Sequence, residues 1–167
     1  MEDTREVVGV DWFTTDLLSG CPKLLGVCHS LLRVSVGDST SRNDYIIEKC
    51  REGPNEPEAR RNGILVSKAA ACDLSRARLL HRLLSAHIKI EPKLTMLILR
   101  SKACGMGFYE LLDNNCHCVA RALYNHCAES GHHVTRMPNE VHVLAARVFG
   151  VLSTQASRSS TRSSKSN

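Results

Sequence analysis

Apolar runs and polar turns succeed one another in the first third of the chain. Residues 24–36 are rich in Leu and Val, contain His29, and end at the turn-forming cluster 37–41. A second short apolar run, residues 45–48, follows this turn. Two such runs around a polar turn predict a β-hairpin, which would place His29 and Glu48 on neighbouring strands.

The middle of the chain has a mixed pattern. Residues 51–63 are charged and contain Pro and Gly, which predicts an exposed loop, and residues 64–67 then predict a further strand. From Asp73, a residue type that caps helices, apolar residues recur at near-helical spacing and predict an amphipathic helix over 74–88. The continuous apolar run 94–99 predicts a buried strand.

The spacing of apolar residues changes again near residue 113. Residues 108–112 predict a short strand, and from Cys116 the apolar positions follow helical spacing as far as Cys127. The three residues before Cys116 have side chains that cap helices, namely Asp113, Asn114 and Asn115. The pattern therefore places Cys116 at a helix N-terminus, with Gly131 as a stop and a last short apolar element over 141–151.

Length and composition fit one folded domain with a polar end. The chain has 167 residues, of which 43% are hydrophobic and 23% charged, as in globular proteins. Residues 153–167 are Ser-rich and basic and are expected to be disordered. We predict a lead-in over 1–20, one α+β domain over 21–152 with a small antiparallel sheet packed against helices, and this tail.

Charge, the length of the apolar runs and the cysteine content exclude several classes of protein. Three of the five net positive charges lie in the tail, so the body lacks the basic face that nucleic-acid binding needs. No apolar stretch approaches the roughly 20 residues of a membrane-spanning helix. The eight cysteines and the polar start without a signal-like segment favour free thiols in a reducing compartment. We expect a soluble cytoplasmic or nuclear protein without an integral membrane segment.

Cys116 has the placement of a reactive thiol. A helix N-terminus lowers the pKa of a cysteine through its unpaired N–H groups and the positive end of its dipole. The same N–H groups, with the amides of Asn114 and Asn115, are candidates for stabilising an oxyanion. His29, held on a core strand, is the candidate base. His117 is expected to point away from its neighbour Cys116, since consecutive helical residues do not face the same side.

These residues resemble a known family. The stretch 108–120 looks like the strand–Asn-Cys–helix motif of circularly permuted papain-like cysteine hydrolases, which include lecithin retinol acyltransferase-like proteins and PPPDE-type peptidases. His29 within residues 26–30 matches the early histidine of that family, 87 residues before Cys116. The resemblance covers about residues 24–127. It implies a permuted papain-like fold and thioester chemistry on Cys116.

The resemblance leaves the third catalytic residue and the substrate open. Glu48 is the expected residue that orients His29, with Asn43 and Asp44 as alternatives. The expected acyl substrate is a protein or a lipid. A peptide or isopeptide bond is preferred over a lipid ester, because membrane-acting members of the family often carry a hydrophobic C-terminal anchor and residues 153–167 do not resemble one. We expect no cofactor and no metal in this site.

Two other classes of function compete with a cysteine hydrolase. One is a non-catalytic interaction module of the same fold. The other is a zinc-binding protein that uses the Cys and His residues between positions 116 and 133, since these are the ligand types that zinc prefers. Adjacent ligands on one helix point in different directions, which argues against the zinc alternative.

Overall fold

The computed structural model describes residues 3–16, 28–38, 40–50, 63–108, 110 and 114–136. These residues form five strands in one antiparallel sheet and two longer helices. The strands are β1 (Val7–Asp16), β2 (Cys28–Gly37), β3 (Arg42–Lys49), β4 (Ile64–Lys68) and β5 (Arg78–Leu84). The helices are α1 (Met96–Gly105) and α2 (Cys116–Cys127), and the strand order is β4-β3-β2-β1-β5. The predicted α+β class with an antiparallel sheet is confirmed.

The predicted hairpin is the pair β2 and β3. Gly37 ends β2 with φ +154°, and a Cβ there would lie 2.1 Å from the carbonyl oxygen of Ser41, so the turn needs glycine. The register that follows places Leu31 opposite Glu48. His29 lies two residues before Leu31 and therefore projects from the same side of the strand as Leu31. This register makes Glu48 a diagonal neighbour of His29.

The centre of the sheet includes a strand that the sequence patterns did not indicate. Residues 7–16, within the segment expected to be a lead-in, form β1, which pairs with β2 on one side and with β5 on the other. Trp12 of β1 is fully buried in the core. A strand in this position holds β2, and with it His29, by backbone hydrogen bonds along its whole length.

The helix predicted over 74–88 is wrong. Asp73 caps no helix; its carboxylate accepts the Ser75 N–H at 2.9 Å in a turn. Arg78–Leu84 is the strand β5, which adds to the free edge of β1. The leucines of this segment fit helical spacing, but the hydrogen bonds offered by β1 decide the outcome, because tertiary context overrides local propensity.

The strand predicted over 94–99 is also wrong. Thr95 accepts the Ile98 N–H and begins helix α1. The residues that α1 buries are Met96, Leu99 and Ala103, at helical spacing, whereas Leu97 is half exposed. The buried face of α1 extends beyond the apolar run 94–99 to Ala103, which lies among polar residues. A strand prediction based on the run alone misses this extension.

The main core lies between one face of the sheet and the two helices. It includes Trp12, Leu32 and Val34 of the sheet, Leu99 of α1 and Leu123 of α2, each at most 1% exposed. The helix α2 packs across β1, β2 and β3. The opposite face carries a smaller cluster, formed by Phe13, Leu31 and Ile46 under the segment 69–77.

Several predicted segments lie outside the described residues. These are most of the loop 51–63, most of the short strand 108–112, the element 141–151 and the tail 153–167. Within the described part of the chain, neither α-helix is long and apolar enough to cross a membrane. The six cysteines whose side chains are described are free thiols, and they are Cys50, Cys72, Cys104, Cys116, Cys118 and Cys127.

Candidate functional site

Cys116 is the first residue of α2, as the capping pattern predicts. Asn115 is the N-cap, and its side-chain oxygen accepts the N–H groups of His117 and Cys118, both at 3.0 Å. This cap satisfies two of the N–H groups that a helix start leaves unpaired. Cys116 is 4% exposed, so its sulfur meets the positive end of the helix dipole with little screening by water.

The structure brings His29 to Cys116 and to Glu48. The Nε2 atom of His29 lies 2.9 Å from a carboxylate oxygen of Glu48, and the same imidazole is close enough to Cys116 for each group to shift the pKa of the other. The side chains of His29 and Glu48 are 14% and 20% exposed. A thiol, an imidazole and a carboxylate are thus linked in series, and their elements are a helix start and two paired strands.

The electrostatics of this series favour a charged pair. Burial acts to raise the pKa of Cys116, but hydrogen bonds from His117 and His29 outweigh burial and lower that pKa to about 6. Burial acts to lower the pKa of His29, whereas its hydrogen bonds to Cys116 and Glu48 raise it to about 9. Between these values a thiolate and an imidazolium face each other, so a nucleophile and a proton donor coexist.

His117 also belongs to the site, contrary to the expectation that it points away from Cys116. Its Nδ1 atom lies 2.6 Å from Ser30 Oγ, which also accepts a hydrogen bond from Trp12 Nε1 at 2.9 Å. All three side chains are buried, and the His117 imidazole acts to lower the pKa of Cys116. A second oriented imidazole therefore supports the thiolate. Ser30 beside His29 was the available signal, because a strand residue facing the helix needs a polar partner.

The two asparagines before Cys116 hold the helix start in place. Asn114 donates from its amide nitrogen to the carbonyl oxygens of Met106 and Phe108, the latter at 2.7 Å. It also exchanges backbone hydrogen bonds with Glu110, each 3.1 Å long. The amides predicted to face an oxyanion thus clamp the preceding loop and, for Asn115, cap the helix.

The two alternatives to Glu48 have other partners. Asp44 accepts a hydrogen bond from Ser35 at 2.6 Å and forms an ion pair with Arg42 at 3.2 Å. Asn43 donates to Asp3 at 3.1 Å. Of the three candidates for orienting His29, Glu48 is the one that contacts it.

Metal-ligating side chains converge at two places in the described residues. One group is His29, Glu48 and Cys50, which overlaps the site at Cys116. The other lies beyond the far end of α2, and neither group contains a cysteine of α2. Of the Cys and His residues between 116 and 133 on which the zinc alternative rests, His132 belongs to the second group and the others belong to neither.

No family model matches the chain, and neither a curated protein nor a solved structure matches it. What the site does is therefore inferred from its own geometry and chemistry.

Proposed function

We propose that the protein is a thiol-dependent hydrolase or acyltransferase that forms a thioester on Cys116. One observation carries the proposal: a buried thiol at a helix start lies beside an imidazole that is itself hydrogen bonded to a carboxylate, and the pKa of this thiol falls to about 6. Nucleophile, base and orienting group in hydrogen-bond contact are the arrangement that covalent acyl transfer requires. Structural buried cysteines lack it.

The reaction proceeds in two stages. The Cys116 thiolate attacks the acyl carbonyl, a C–S bond forms, and the imidazolium of His29 gives its proton to the leaving amine or alcohol as the C–N or C–O bond breaks. Water or another acceptor then loses a proton to His29 and attacks the thioester carbon; the C–S bond breaks, the acid or the acylated acceptor leaves, and Cys116 returns to its thiolate. Glu48 keeps the His29 ring oriented and stabilises its positive charge through both stages.

The oxyanion is assigned to the backbone of Cys116. The side chain of Asn115 already accepts the N–H groups of the next two residues. The N–H of Cys116, at the first helical position, has no acceptor within the helix. It lies beside its own sulfur, so it can donate to an oxygen on the carbon that the sulfur attacks.

The fold assignment belongs to the same proposal. A histidine on an early strand and a cysteine at the start of a later helix have the order of permuted papain-like hydrolases. The antiparallel sheet and the helix across it are compatible with that fold. Peptide or isopeptide bonds remain the preferred substrates over lipid esters.

Acyl-enzyme trapping tests this function. We expect intact-mass spectrometry after acid quenching to show an acyl adduct on Cys116 with an activated peptide ester, and turnover with one of a panel of peptide, isopeptide and lipid ester substrates. Cys116→Ala abolishes both signals, and His29→Ala lowers the rate by at least about 100-fold, the typical share of acid–base catalysis.

Cys127→Ala is the matched control, because Cys127 is a buried thiol at the other end of the same helix. This variant should keep adduct and turnover, apart from a loss of stability. An adduct that survives Cys116→Ala, or rates unchanged by His29→Ala, would contradict the proposal and favour a non-catalytic interaction module.

A further inference from the structure

A second cluster of functional side chains lies at the other end of α2 from Cys116. The helix has 12 residues, so its ends are about 17 Å apart. Beyond Ala128, which caps its C-terminus, the chain makes a short 3-10 turn over Ser130–His132. A similar turn, Ser85–His87, follows strand β5. This turn lies beside the turn Ser130–His132.

Backbone contacts tie these two turns together. The Glu129 N–H donates to the carbonyl oxygen of His87 at 3.0 Å, and the Lys89 N–H donates to that of Cys127 at 2.9 Å. Ile88 and Ala128, both buried, form an antiparallel bridge between these bonds. The backbone that carries His87 and Glu129 is therefore fixed before any ligand arrives.

Three metal-binding side chains converge on this scaffold. Ligand atoms of His87, Glu129 and His132 all lie within 4.8 Å of one another. The two imidazole rings are 3.9 Å apart between centroids and tilted by 31°. Two histidines and a carboxylate are a ligand set that binds Zn²⁺, and tetrahedral Zn²⁺ at about 2.0–2.1 Å holds its ligand atoms roughly 3.3 Å apart.

We propose that His87, Glu129 and His132 bind one Zn²⁺ ion, with water in the fourth position. Glu129 and His132 are exposed and His87 is half-buried, so small side-chain rotations close the ligand atoms onto the ion. The bound ion joins the end of β5 to the end of α2. Because these two turns separate when the chain unfolds, the ion stabilises the folded state.

Zinc titration of the full-length reduced protein tests the site. We expect the wild type to bind one more equivalent of Zn²⁺ than His132→Ala or His87→Ala when it competes with a chromogenic chelator. The loss of affinity for that equivalent should exceed the 10- to 100-fold that changes outside the ligand shell typically cost. At a free Zn²⁺ concentration of 100 Kd, the folded-to-unfolded ratio of the wild type rises about 100-fold, and Tm rises with it.

His133→Ala is the matched control, because His133 is an exposed neighbour whose Nε2 instead contacts the Ala128 carbonyl at 3.2 Å. It should bind zinc like the wild type. His29→Ala should also keep this equivalent, which separates the site from the group around Glu48 and Cys50. Equal stoichiometry and equal affinity in the wild type, His87→Ala and His132→Ala would overturn the proposal.

Discussion

Cys116 and Cys127 are two buried thiols on one helix, and their pKa values are shifted in opposite directions. Burial raises the pKa of Cys127 to about 12, because the folded protein offers its thiolate little to replace water. Burial acts in the same direction on Cys116, yet the hydrogen bonds from His117 and His29 lower its pKa to about 6. The two imidazoles, with the helix dipole, account for the opposite pKa shifts of the two thiols.

At the residue scale, Glu48→Gln should lower the pKa of His29. The carboxylate is one of the groups that raise this pKa to about 9, and a neutral amide removes its charge. We expect a fall of about one pH unit or more, measured by NMR titration of the His29 ring. The thiolate–imidazolium pair exists between the pKa of Cys116 and the pKa of His29, so its upper pH limit falls with the pKa of His29. Its lower limit, near pH 6, stays where it is.

Asp44→Asn serves as the control for this substitution. Asp44 lies four residues earlier on the same strand and pairs with Ser35 and Arg42. Replacing the Asp44 carboxylate with an amide should leave the pKa of His29 unchanged. If both variants shift His29 equally, a long-range charge effect and not the Glu48 contact sets its pKa.

The sequence allowed prediction of those site residues whose position depends on local patterns. A strand run identifies His29 and a capping pattern identifies Cys116. Asp44 and Glu48 project from the same side of β3, so only the register of the hairpin separates them. His117 escaped prediction because its contact with Ser30 joins positions 87 residues apart, for which the local pattern has no signal.

At the element scale, Asn115→Ala should destabilise the protein through α2. The side chain satisfies two N–H groups at a position that is 4% exposed. Loss of such a cap costs about 1–2 kcal/mol of unfolding free energy, measured by urea denaturation. Thr95→Ala should cost less, because Thr95 caps α1 through a single bond of 3.4 Å.

Asn115→Asp separates capping from electrostatics at the same position. Aspartate caps a helix as well as asparagine does, so stability should be retained. The added negative charge beside the sulfur should raise the pKa of Cys116 above about 6. If Asp and Ala lower stability equally, the cap does not stabilise α2 as described.

The elements that were predicted wrongly share one physical cause. Residues 78–84 and 94–99 have apolar runs that fit both a helix and a strand, and the partner available in three dimensions decides between them. The open edge of β1 makes the first a strand. For the second, the Thr95 cap and the buried spacing of Leu99 and Ala103 favour a helix that the run alone does not reveal.

At the scale of the whole molecule, the low pKa of Cys116 is a product of folding. Cys116 acquires its partners when α2 packs against β2 and β3, which carry His29 and Glu48. The central position of β1 fixes β2 from the other side. A cysteine in the unfolded chain has an ordinary pKa near 8.5, so the acidity of Cys116 should vanish on unfolding.

The pH dependence of Cys116 alkylation is the most direct test of whether folding lowers the pKa of this thiol. Limiting iodoacetamide is applied across pH 5–10 to the folded protein, to the protein in urea and to His29→Ala, and the modified cysteine is mapped by mass spectrometry. The midpoint of the pH profile is read instead of the rate, because burial slows the reagent without moving the midpoint. We predict a midpoint near pH 6 in the folded wild type, a higher one in His29→Ala and about 8.5 in urea. A folded midpoint equal to that in urea would mean that the fold does not activate Cys116.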